Sequence, residues 1–289
     1  MPAVARPLVP DELEILCARY DGFLLDLWGV VTDGVDAFPG ALTWLARRRA
    51  ERKPVWFLSN ASRTTEATAR LLANLGITAD LYAGVTTSGQ LAIDALLDPR
   101  GPFARGAIHM AGEMPGLNGW PDAVTVRFTS RLEDAALIVA LGSFPPAELT
   151  ERLAPLLAAL DKPLLCANPD RELVFGGQPL LGAGMLAQRF AEAGGTVHWF
   201  GKPDPAVFAD GRTRLKALGA GRVLFVGDSM VTDVPGARRA GVDTLLVTST
   251  GMHRAALGVE FGMPAPPDRL RIFLAGYSDQ PDFVAPGLT

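Results

Sequence analysis

The sequence predicts an α/β protein, with a Rossmann-like, doubly wound parallel-sheet core interrupted by an inserted α/β cap. Three observations point there. Short unbroken apolar runs, such as Phe23-Leu24-Leu25 and Val223 to Val226, alternate with longer amphipathic stretches, as in parallel sheets covered by helices. Runs this short and this apolar suit strands buried on both faces. Several of them end in Asp, Ser, Gly or Lys, and the carboxyl edge of such a sheet is where ligands bind.

The elements follow in order. Residues 11 to 20 form an amphipathic helix with Leu13, Leu16 and Cys17 on one side, and strand 23 to 25 then ends in Asp26. A Gly- and Asp-rich loop reaches Pro39-Gly40, and a helix over 41 to 52 turns Leu42, Trp44 and Leu45 inward. Val55 to Leu58 is a strand ending in Ser59-Asn60. A helix from Thr65 to Asn74 stops at Gly76, a C-terminal signal. A strand at Leu81 to Ala83 and a helix over 88 to 97 follow. The turn-rich joint Asp98-Pro99-Arg100-Gly101-Pro102 opens the insertion. Within it the sequence predicts strands at 107 to 110, 123 to 128, 137 to 141 and 163 to 167, and a helix over 146 to 159. Gly194-Gly195 closes it. From Val197 to Phe200 the first pattern returns: strand, Gly201-Lys202-Pro203 turn, helix to Leu218, strand, Gly227-Asp228 turn, helix, and strand Thr244 to Val247. A Pro-rich tail carries a helical turn near Leu270 to Leu274. The division expected is therefore a core of residues 1–99 and 196–289 with a cap of residues 100–195.

Composition excludes several classes. Hydrophobic residues make up 48% and charged residues 20%, and the net charge of -4 gives no electrostatic footprint for nucleic acid or anionic lipid. The one basic cluster, Arg47-Arg48-Arg49 with Arg52 and Lys53, reads as a solvated helix face. Two distant cysteines, Cys17 and Cys166, make neither a disulfide framework nor a zinc site and read as small buried fillers. Met1 to Pro10 lacks the pattern of a signal peptide, and no run approaches about 20 apolar residues. A soluble, cytoplasmic protein is expected.

Four strand ends carry chemistry: Asp26, Ser59-Asn60, Lys202, and Asp228 followed by Asp233. They offer a carboxylate nucleophile, a hydroxyl, an ammonium and two further acids. Mg²⁺ favours a few carboxylates together with phosphate oxygens. Lys202 and Ser59 suit the charge on phosphoryl oxygens, and Asp26 suits attack on phosphorus. Each signal alone is bland: a strand-end Asp often caps a turn, Gly-Lys-Pro is usually a turn, and Gly-Asp commonly starts a helix. Their order, each after a strand, makes the combination informative.

With these motifs in place, the sequence resembles the haloacid dehalogenase (HAD) superfamily of phosphohydrolases, in the subclass with a large α/β cap (NagD-like and pyridoxal phosphatase-like enzymes). Asp26, Ser59, Lys202 and the Gly227-Asp228-x-x-x-x-Asp233 run match the four motifs, and Pro39-Gly40-Ala41 and Asn168-Pro169-Asp170 match the subclass over residues 20 to 250. The resemblance implies that Asp26 is the nucleophile. It implies Mg²⁺ on Asp26, the Trp28 backbone carbonyl and Asp228, with Asp233 a ligand or its supporting partner. Ser59, the Asn60 backbone and Lys202 would hold the phosphate of a small phosphorylated metabolite. Asn168 and Asp170 would face it from the cap, and pairing of two copies through the cap is the expected assembly.

One position departs. Similar phosphatases carry a second Asp two residues after the nucleophile, as acid and then base; here Trp28 stands there. Loss of such a group costs about 10²- to 10⁴-fold in rate. Asp33 and His253 are the candidate substitutes, against plainer readings as a turn residue and a surface or capping histidine. His109 and His198 read as packed strand residues. Trp28 also keeps two alternatives open: a catalytically impaired phosphometabolite-binding protein, and a dehalogenase-type hydrolase, whose halide leaving group needs no proton.

Overall fold

The structure, a computed structural model, describes residues 7–112 and 119–288, so Met1 to Arg6 of the segment judged free of a leader pattern lie outside them. The chain divides into two compact units, Met1–Leu58, Leu72–Val85 and Lys202–Thr289 in one, Ser59–Leu71 and Thr86–Gly201 in the other.

The chain enters through α1 (Pro10–Cys17), β1 (Gly22–Leu25), α2 (Pro39–Ala50), β2 (Val55–Ser59), α3 (Thr65–Asn74), β3 (Gly84–Thr87) and α4 (Ser88–Leu97). β3 begins after the expected Leu81 to Ala83, because Ala83 N–H already donates to Val55 O and the strand runs on from there. The sequence then makes β4 (Ile108–Ala111), α5 (Asp122–Thr125), β5 (Phe128–Thr129), β6 (Leu137–Ala140), β7 (Ser143–Phe144), α6 (Leu149–Leu157), β8 (Leu164–Cys166), β9 (Glu172–Phe175), β10 (Gln178–Gly182), α7 (Ala183–Glu192) and β11 (Val197–Trp199). It returns through α8 (Pro205–Ala217), β12 (Val223–Gly227), α9 (Asp233–Arg239), β13 (Asp243–Val247), α10 (Arg254–Leu257), α11 (Pro267–Ala275) and β14 (Phe283–Ala285).

The first unit is built on a six-stranded sheet ordered β14-β13-β12-β1-β2-β3. β1 is central and buried at all four positions, pairing in parallel with β12 on one side and β2 on the other. The register sets Leu25 opposite both Val226 and Phe57, so Asp26 emerges beside the end of β12. Phe23, Trp44, Leu45, Phe57 and Leu224 share one core cluster, and complete burial of such a side chain is worth about 1.5–3 kcal/mol. Arg48 corrects the reading of its cluster as a solvated face. It is 0% exposed, lies over the Trp44 ring at 5.0 Å, and pairs with Glu14 at 2.6 Å. Arg47 and Arg49 remain exposed.

The second unit holds a five-stranded sheet, β11-β8-β6-β4-β5, and a three-stranded one, β7-β10-β9. Three expectations change here. Residues 123 to 128 begin as α5, since Pro121 and Asp122 start a helical turn that overrides the β-branched Val124 to Val126. Val197 to Trp199 pairs with β8 in the second unit's sheet and does not return to the first. The β9–β10 hairpin was not foreseen; its turn is Gly176-Gly177, both with positive φ, the geometry that two-residue hairpins favour. α4 turns Ala92, Ile93 and Leu96 into a cluster with Trp120, Leu137 and Val139, which is why it belongs to this unit. Both cysteines are buried, and burial pushes the Cys166 thiol up to about 12.

Candidate active site

β1 ends at Leu25, and the next residue, Asp26, donates its N–H to Val226 O at 2.9 Å. That bond aligns the nucleophile candidate with the end of β12. Its Oδ1 accepts from Leu27 N–H at 2.7 Å and pairs with Lys202 Nζ at 2.8 Å. Lys202 is 2% exposed, and a lone ammonium so buried would be costly without partners. It has a second one: Asp233 Oδ1 at 2.7 Å. Asp233 leads α9, and its Oδ2 accepts from the N–H groups of Asp228 and Ser229, both at 3.0 Å. Both oxygens of Asp233 are thus engaged in holding Lys202 and shaping the turn that presents Asp228.

Asp228 is gripped from the other side. Its Oδ2 accepts from Met252 N–H at 2.7 Å. Burial first, then the charges of Asp26 and Asp233, hold its carboxyl well above the ordinary carboxylate range, against the opposing Met252 N–H and Lys202. Asp26, Asp228 and Asp233 can each bring an oxygen within 4.8 Å of the others. Fully ionised, three acids against one ammonium leave two negative charges in excess in a buried place. Hard oxygen donors with such an excess fit a divalent cation.

In the second unit, Ser59 ends β2 and its Oγ accepts from Ala61 N–H at 3.2 Å. Asn60 Nδ2 donates to Asp170 Oδ1 at 2.8 Å, while Ser88 Oγ donates to Asn60 Oδ1 at 3.1 Å. Asn168 Oδ1 accepts from Asp170 N–H at 3.1 Å, and Asn168 Nδ2 donates to Gly142 O at 3.2 Å. The Asn168-Pro169-Asp170 loop is fixed further by Gly182, where a Cβ would stand 2.0 Å from Asp170 O. The structure therefore joins Asn60, Asn168 and Asp170 in one network.

Both candidate substitutes for the missing acid accept backbone hydrogen bonds. Asp33 Oδ1 accepts from Val35 and Asp36 N–H at 2.9 and 2.8 Å, the signature of a turn-forming Asp. His253 Nε2 accepts from Met230 N–H at 3.1 Å, and its ring lies 4.8 Å from Phe273. Burial lowers its pKa to about 4, so the ring is neutral near pH 7 with its lone pair already used. Trp28 is half-buried against the main core cluster. Motif reading missed the segment Ser249-Thr250-Gly251-Met252; its one signal was a fifth strand end, after β13, carrying a hydroxyl and a glycine.

Comparisons with known proteins show the family. The family profile of haloacid dehalogenase-like hydrolases matches residues 23–114, and a HAD-hydrolase-like profile matches residues 199–289. The chain belongs to the haloacid dehalogenase-like hydrolase family. It is 30% identical over 249 residues to D-glycerol 3-phosphate phosphatase of Mycobacterium tuberculosis, covering 84% of this chain and 67% of that protein. It is 31% identical over 260 residues to human chronophin, covering 84% and 85%. Among solved structures, a haloacid dehalogenase-like hydrolase from Brucella suis superposes with a TM-score of 0.76 at 26% identity, covering 96% of this chain and 98% of that one. A 4-nitrophenylphosphatase from Thermotoga maritima gives 0.63 at 25% identity, covering 93% and 94%.

Proposed function

We propose that this chain is a Mg²⁺-dependent phosphatase of small phosphorylated metabolites, working through an aspartyl-phosphate on Asp26. The observation that carries the reading is the buried cluster of Asp26, Asp228 and Asp233 around Lys202. Relatives named for hydrolysis of glycerol 3-phosphate and 4-nitrophenyl phosphate support the substrate class.

Asp26, Asp228 and the Trp28 carbonyl would hold Mg²⁺, with Asp233 acting through the turn and Lys202. The ion, when bound, would offset the repulsion between the Asp26 carboxylate and the phosphoryl oxygens. Asp26 attacks phosphorus, the bond from phosphorus to the leaving oxygen breaks, and that oxygen departs with the electron pair. Water then attacks phosphorus and releases Asp26 and inorganic phosphate. Lys202 stabilises equatorial phosphoryl charge, and Ser59 and the Asn60 backbone are proposed to share that task. Asn168 and Asp170 are proposed to shape the leaving-group side.

Trp28 cannot protonate a departing alkoxide, and the backbone hydrogen bonds accepted by Asp33 and His253 favour their structural roles. Aryl, enol and acyl phosphates, whose leaving oxygens need no proton, should therefore turn over much faster than alkyl phosphates. Phosphate release from such a panel, with and without Mg²⁺, tests the reading. Metal-dependent turnover lost in Asp26→Asn supports it; tight binding of one ester with turnover of none would replace it with the binding-protein reading that Trp28 also favours.

A further inference from the structure

The segment after β13 does more than connect elements. Thr250 Oγ1 donates to Gly29 O at 2.6 Å, across to the loop that follows Asp26. Two residues on, Met252 N–H donates to Asp228 Oδ2 at 2.7 Å. Between these bonds the chains approach as closely as glycine permits. A Cβ on Gly29 would stand 2.1 Å from Asp228 Oδ2 and 2.8 Å from Gly251 Cα, and a Cβ on Gly251 would stand 2.1 Å from the same carboxylate oxygen. The Asp228 carboxylate is thus sandwiched between two bare backbones.

The segment itself is held at both ends. Ser249 N–H donates to Pro286 O at 2.8 Å, and Ser249 Oγ donates to Met263 O. His253 accepts from Met230 N–H at the far end. Beside Thr250, a Cβ on Gly287 would stand 2.7 Å from Cγ2, so the methyl is walled and the hydroxyl is directed toward Gly29.

We propose that Thr250, with Gly251, forms a clasp that fixes the Asp228 carboxylate relative to the Gly29 carbonyl, one residue beyond the Trp28 carbonyl in the same loop, making Thr250 a positioning residue for the divalent-cation site. The inference rests on the functional reading above. A cation shared by Asp26, Asp228 and the Trp28 carbonyl needs two loops from different strand ends at a fixed spacing, and Thr250 is bonded to one while its neighbour Met252 is bonded to the other. Exchange of its hydroxyl for a methyl frees the Gly29 carbonyl without changing any acid.

Isothermal titration of Mg²⁺ into the full chain tests this, with thermal unfolding of the metal-free protein alongside. Thr250→Val should weaken Mg²⁺ binding about five- to tenfold, the scale of one lost hydrogen bond, and Thr250→Ser should restore it to within about twofold. Thr213→Val removes a hydroxyl-to-carbonyl bond of the same kind on α8, to Ala209 O, and should leave Mg²⁺ binding unchanged. If the valine variant does not fold, Thr250→Ala takes its place. Wild-type Mg²⁺ affinity in the valine or alanine variant, whatever its melting temperature, overturns the clasp and leaves the phosphatase reading intact. Absence of Mg²⁺ binding by the wild type overturns both.

Discussion

The Asp228 carboxyl shows most directly what the site demands. Its pKa is raised from 3.8, so the folded state holds the proton more tightly than the unfolded chain does. Stability from this group is therefore full below about pH 3.8 and is lost as pH rises through the higher folded value. Above that value the ionised carboxylate is a penalty that a bound cation would offset. Asp228→Asn should raise the melting temperature of the metal-free protein at pH 7 and abolish its rise on adding Mg²⁺; calorimetry with and without the ion checks both. His253 has the opposite sign. Its pKa falls from 6.5 to about 4, so its contribution is full above pH 6.5 and is lost as pH falls toward 4, on the order of 3 kcal/mol at most. His253→Asn keeps an acceptor for Met230 N–H without titrating, and urea unfolding at pH 7 and pH 5 should show a smaller acid-induced loss than in the wild type. At Trp28, substitution by Asp should raise kcat/KM for alkyl phosphates about 10²- to 10⁴-fold, while kcat/KM for aryl phosphates, which reports only formation of the intermediate, gains far less. An equal gain in kcat/KM for both leaving-group classes would mean that protonation of the leaving group is not what Trp28 withholds.

At the level of elements, α2 is held to α1 by a charge inside the core. Arg48→Ala leaves Glu14 with only the exposed Arg47, at 3.2 Å, and empties space beside Trp44 and Phe23; it should cost less than about 3 kcal/mol, the lower end for a buried pair that loses its one partner, readable as a lowered urea midpoint. The sequence showed Arg48 only as one of three adjacent arginines, because helical periodicity places it inward but charge argues outward. The core strands were legible for a simple reason: β1, β2, β12 and β13 are buried apolar runs, and the first three end at residues with evident chemistry. The β9–β10 hairpin was not, because Val174 and Phe175 are exposed and only Gly176-Gly177 marks the turn. Residues 123 to 128 misled because β-branched side chains outweighed the helix start at Pro121-Asp122. The site divides the same way. Asp26, Lys202, Asp228 and Asp233 were found because their charges sit at strand ends, whereas Thr250, Gly251 and Met252 act through a hydroxyl, an absent side chain and a backbone N–H, which leave no charge pattern to read.

Across the whole molecule, β1 sits in the middle of a six-stranded sheet, flanked by β12 and β2, and that placement lets one strand edge collect acids from distant parts of the chain. The inserted unit has its own sheets and cores, while Lys202 follows directly on its last residue, Gly201. A cation at the acid cluster binds only the folded chain, so Mg²⁺ at 100 times its Kd should add about 2.7 kcal/mol to stability, seen as a concentration-dependent rise in melting temperature. The central claim is that Asp26 accepts a phosphoryl group. With Trp28 in place of the acid/base, breakdown of the aspartyl-phosphate should lag its formation, so the intermediate should accumulate. The decisive measurement is acid quenching of the wild type with Mg²⁺ and an aryl phosphate, followed by peptide mass spectrometry. One phosphoryl group on the peptide containing Asp26, absent without Mg²⁺ and absent in Asp26→Asn, is the predicted result. Turnover that persists in Asp26→Asn, or a phosphoryl group found on another residue, would contradict it.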